Sequence, residues 1–138
     1  MNKKEAFDLL CETLTDYSFH PLFLKELGEL LNKDLKGKEK VFFKCLTVQL
    51  NYINTFGTMV HTTAGHEQIH GFNGCYYSIH VEQSQFNVRL LVHIDGVSSP
   101  VFLCAFYERS GHRATSYERY TSVLENRYNE MQEGNSNG

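Results

Sequence analysis

A chain of 138 residues, 41% hydrophobic and 21% charged, is long enough for one domain with a buried core. No apolar run reaches the roughly 20 residues that a membrane-spanning helix requires. The formal net charge of −3 argues against an indiscriminate nucleic-acid binder, whose affinity rests on concentrated positive charge. The first residues, Met1 to Ala6, carry lysines but no apolar stretch behind them, so no secretory signal is expected. Cys11, Cys45, Cys75 and Cys104 are scattered and lack CxxC pairing, which points to reduced thiols in a cytoplasmic protein.

Residues 1–132 read as a single domain and 133–138 as a polar, frayed tail. Ala6, Leu9, Leu10 and Leu14 recur at helical spacing and predict a first helix over 3–15. Pro21 suits the first turn of a second helix, which ends near Leu31-Asn32. A third is predicted over about 38–55, with Gly57 as its stop. From Tyr77 the period changes to two. Tyr77, Ile79 and Val81 alternate with Ser78, His80 and Glu82; Phe86, Val88, Leu90, Val92 and Ile94 alternate with Asn87, Arg89, Leu91 and His93. Keeping both apolar sets on one face requires a short turn at Ser84-Gln85 and sets His80 directly across from Arg89. A third strand follows from Val101 to Tyr107, and a last helix over 116–131. The order predicts an α+β fold, with N-terminal helices packed on one face of an antiparallel sheet and the other face free.

That free face collects Ser78, His80, Glu82, Asn87, Arg89 and His93, and the loop after the third strand adds Glu108, Arg109, His112 and Arg113. Charge placement strengthens the reading. All eight lysines lie in residues 1–60 and all five arginines in 61–138. A guanidinium offers a planar fork of donors that fits phosphate oxygens, where lysine is a point charge. One other motif stands out: His66-Glu67-Gln68-Ile69-His70 spells HExxH, in which a helix presents two histidines to zinc. Gly65 and Gly71 bracket it and leave barely one turn, so zinc hydrolysis is a third choice.

Phe56-Gly57-Thr58, Ile69-His70-Gly71-Phe72 and Tyr76-Tyr77-Ser78-Ile79-His80-Val81, then Asn87 to Leu91, Phe102 to Arg113 and Thr115 to Tyr120, follow one another along the chain. Together they resemble the RelE/ParE superfamily of bacterial and phage toxins, in its RelE/HigB-like branch, the first three looking like the entry into that family's sheet. Asn87-Val88-Arg89-Leu90-Leu91 is similar to its Tyr-Arg-aliphatic strand. Phe102 to Arg113 resembles the last strand and its basic exit, and Thr115 to Tyr120 the start of the C-terminal helix. The resemblance implies a toxin of a type II toxin–antitoxin pair, a metal-independent endoribonuclease cutting messenger RNA, often on the ribosome, and restrained by a cognate antitoxin. It implies no cofactor. By position, Arg89 would stabilise phosphate charge, Arg113 or Arg109 would add a second contact, and Tyr117 would stack on a base or bond near the scissile phosphate. His112 and His80 are this chain's own candidates for proton transfer, since imidazole titrates near neutrality. Asn87, His93 and Arg109 are expected to contact RNA. His80 stands where relatives commonly have arginine, and Glu108 where they have lysine. ParE-like members instead inhibit DNA gyrase without cutting RNA, which is the alternative function.

Overall fold

The computed structural model describes residues 2–63, 66–69, 75–109 and 120–137. Helix α1 spans Lys3–Thr13. It starts where Asn2 accepts from the Glu5 amide at 2.8 Å while its own amide group donates to the Glu5 carboxylate at 2.9 Å. This reciprocal cap satisfies a donor that the first turn leaves open. Strand β1 is only Ser18–Phe19, and α2, Pro21–Asn32, follows at once. The His20 ring caps α2 by accepting from the Leu22 amide at 3.0 Å, and Pro21 occupies the first turn. Helix α3, Glu39–Phe56, ends where Gly57 adopts φ +52°, a conformation costly for residues with a Cβ. A 3-10 turn, Gly57–Thr62, leads toward β2, Glu67–Gln68.

The meander is β3, Tyr76–Gln83, β4, Phe86–His93, and β5, Val101–Tyr107. The turn at Ser84-Gln85 has two residues, and His80 pairs directly with Arg89, as the alternation requires. The full order is β1-β5-β4-β3-β2. The sheet is mixed rather than purely antiparallel, because β1 runs parallel to β5 with Ser18 beside Val101. A two-residue strand shows no period in the sequence, so the sequence carried no sign of it.

Helices α1, α2 and α3 cover one face. Their core joins Leu10, Phe23, Leu27, Phe42 and Leu46 to Tyr77, Ile79, Val81, Val88, Leu90 and Phe102 from the strands. The expectation of a free opposite face is corrected. Helix α4, Thr121–Asn137, lies across one end of it. Leu124 is buried there against Tyr76, Leu91, Val101 and Leu103, flanked by Tyr120, Tyr128 and Met131. A register shift between Leu91 and Val92 pairs Leu91 with Cys104 and Val92 with Phe102, so β5 has one extra residue there. The bulge lets both Leu103 and Cys104 join this second cluster. Described α4 runs past Met131 through the stretch expected to be a frayed tail. No described helix is long and apolar enough to cross a membrane.

Helix α4 is held by charge as well as by area. Arg127 forms two parallel hydrogen bonds to the Glu26 carboxylate of α2, both 2.9 Å, and donates to the Leu103 carbonyl at 2.7 Å. Glu26 in turn accepts from the Ala105 amide at 3.1 Å. Such a fork couples geometry to charge more tightly than a lysine would. A second, weaker link joins His20 to Glu130 at 3.3 Å.

Candidate anion-binding site

Beside the N-terminal start of α4 the second face turns polar. Arg89 on β4 and His80 on β3 are cross-strand partners, and the guanidinium lies against the His80 ring. Asn87 precedes Arg89 by two residues and therefore shares its face. Phe106 is the β5 partner of Arg89, and its ring stacks on Tyr120 at 4.8 Å between centroids. Arg89 and His80 are half-buried. The Arg89 Nε and the Asn87 Oδ1 are both buried without a hydrogen-bond partner. A buried donor and a buried acceptor that are both unpaired carry a desolvation cost, and a ligand with an acceptor and a donor of its own would relieve it.

His66 holds the backbone of His80 in place. The His66 ring accepts from the His80 amide through Nδ1 at 3.0 Å and faces Gln49 Oε1 through Nε2 at 2.6 Å. Those two bonds require the proton on Nε2 and a neutral ring. Burial pushes the His66 pKa down to about 4. His80 is pushed down to about 3, first by burial, then by the positive charge of Arg89 and by His66. Glu67 Oε2 stands 3.7 Å from His80 Nε2. An imidazole expected to titrate near neutrality is therefore held unprotonated, a hydrogen-bond acceptor rather than an acid.

The other described arginines are already paired. Arg109 binds Asp34 at 2.8 Å and lies over the Tyr107 ring at 4.9 Å, on the helical side of the sheet. Arg127 belongs to Glu26. Among the described residues Arg89 is the one arginine with no carboxylate partner. The structure thus brings Arg89, His80 and Asn87 together and places Arg109 away from them. His93 is also apart. It is 6% exposed, stacked on Tyr128 at 3.9 Å under α4, and unavailable to a strand of RNA crossing the sheet. Burial lowers its pKa. Arg113, His112 and Tyr117 lie outside the described residues.

The HExxH motif, for which Gly65 and Gly71 leave barely one helical turn, has Glu67 and Gln68 in a strand, where successive side chains point to opposite faces, so the helical geometry of a zinc protease is not formed there. His66 serves instead as the support of His80, a role the motif concealed. Gln49 was also missed, because nothing local to α3 marks it. The covering of the second face did have a signal. Val101 to Phe106 is an unbroken apolar run rather than an alternating one, the pattern of a strand buried on both sides.

No protein-family model, curated protein or solved structure matches this chain.

Proposed function

We propose that the chain is a RelE/ParE-like toxin of a type II toxin–antitoxin pair, a cytoplasmic endoribonuclease that cleaves messenger RNA without a metal. One observation carries the reading: a half-buried guanidinium on a sheet face, free of any carboxylate among the described residues, beside an unpaired amide oxygen. Arg89 supplies donors to the phosphate oxygens, and Asn87 Oδ1 accepts from a sugar hydroxyl. A ribose phosphate offers both groups, whereas a deoxyribose lacks the 2′-hydroxyl.

Cleavage then follows in one displacement. The 2′-hydroxyl loses its proton and attacks phosphorus, Arg89 stabilises the charge that builds on the phosphorane, and the 5′-oxygen leaves with a proton. The products are a 2′,3′-cyclic phosphate and a free 5′-hydroxyl. His80 accepts the first proton. The arriving phosphate offsets the charge of Arg89, one of the groups that depress His80, so substrate raises its basicity. Arg113, His112 and Tyr117 are assigned the second phosphate contact, the proton to the leaving group and base stacking.

Primer-extension mapping of transcripts after induced expression tests this. Wild type should leave discrete cuts and Arg89→Ala should reduce them about a hundredfold or more, the scale of losing one oxyanion donor. Intact transcripts with the wild type would remove the nuclease. The low basicity of His80 favours a second reading, a non-catalytic inhibitor of a host protein such as DNA gyrase. Growth arrest with DNA damage and uncut RNA would select it.

A further inference from the structure

Helix α3 has two apolar faces, and the described residues pack a core against only one of them. Phe42, Phe43, Leu46, Leu50 and Ile53 are buried in the core. On the outer side Val41, Val48, Tyr52 and Phe56 are exposed, and Cys45 sits at the inner edge of that side, half-buried and packed against the core. These outer residues are four, three, four and four positions apart, and the stripe continues to Met59, which is 54% exposed. Three- and four-residue steps keep side chains on one seam of a helix and match the knobs of a second helix laid along it.

Along α3 itself the exposed charges are of one sign. Lys36, Lys40 and Lys44 are exposed at its N-terminal end, and the single carboxylate between residues 35 and 60, Glu39, is buried. This is a basic patch on a chain whose net charge is −3. From these two features we infer that the outer seam of α3 docks an amphipathic helix of another protein, apolar along one stripe and rich in aspartate and glutamate at its edges. A second copy of this chain does not complement it. Laid parallel, the lysines would meet lysines; laid antiparallel, they would meet Asn51, Asn54 and Thr55, without a carboxylate. Nucleic acid fits less well, because the lysines stand only at the N-terminal end and the rest of the seam is apolar and carries no cation. The inference does not rest on the RNA reading: α3 packs on the helical face of the sheet, and its seam meets the support of His80 only where Tyr52 lies against His66, 6.4 Å between ring centroids.

The test uses the full chain and two synthetic helical peptides, both with leucines at alternating three- and four-residue spacing. One carries glutamate on its flanks and the other lysine. By fluorescence anisotropy the glutamate peptide should bind with a Kd in about the micromolar range, weaken as salt is raised, and bind at least about tenfold tighter than the lysine peptide. Val48→Asp should weaken it about tenfold or more with the melting temperature unchanged, and the double variant Lys40→Glu, Lys44→Glu should invert the preference. Equal binding of both peptides, or binding of neither, would overturn the inference. So would sedimentation equilibrium showing self-association that Val48→Asp abolishes, which would assign the seam to a second copy.

Discussion

Under α1–α3 the strands present Ile79, Val81, Val88, Leu90 and Val92, all fully buried and aliphatic, and three helices seal them. On the opposite face the same strands present Tyr76, Ser78, His80, Asn87, Arg89 and Leu91, and among the described residues one helix covers part of the row. The first face is held by area and shape. The second is held by a smaller apolar cluster, aromatic stacking and a forked ion pair, and its polar residues collect beside Tyr120, where α4 begins. A sheet can thus keep unpaired polar groups on one side because the other side supplies the stability that they cost.

Deleting Phe102 should break that division most. Its ring packs on Tyr17 and Phe23 at 5.5 and 5.4 Å, and Phe102→Ala should cost about 3–5 kcal/mol in urea unfolding. A loss below about 1 kcal/mol would show that the helical face is not the main source of stability.

Acid should unfold the protein through its second face. His66 and His80 have folded pKa values of about 4 and about 3, below the ordinary 6.5. Their contribution is fully present above about pH 6.5 and is lost as pH falls from there toward about 4 and 3, because the unfolded chain binds protons that the folded chain refuses. Urea midpoints between pH 7 and 4.5 should fall, and His66→Gln should flatten that fall by about one proton. An unchanged slope in the variant would remove His66 from the balance.

Arg127→Ala should have a smaller, local effect. Its side chain is 13% exposed and that of Glu26 29%, so the loss should be about 1–3 kcal/mol, including the unpaired carboxylate left behind. Hydrogen exchange should quicken in residues 121–133 before it does in β3 and β4. Uniform quickening would mean that α4 and the sheet open as one unit.

Arg89→Met should change stability least, by no more than about 0.5 kcal/mol, or should raise it, because an unpaired buried donor is removed. A fall of more than about 2 kcal/mol would assign Arg89 a structural role and weaken its reading as an anion seat.

Local pattern was enough for α2, α3 and the strand pair. Pro21, Gly57 and the alternation from Tyr76 to His93 act within a few residues of themselves, so the sequence by itself determined those elements and the pairing of His80 with Arg89. It did not determine what lies over the second face. That depended on Arg127 meeting Glu26, on Tyr128 meeting His93, and on Gln49 meeting His66. Each of those contacts joins residues far apart in the chain, and hydrogen-bond direction and stacking leave no period in a sequence. The type of each residue on that face could be read in advance, but its burial, its partner and its protonation could not. Those follow from distance and dielectric, which only the folded chain defines.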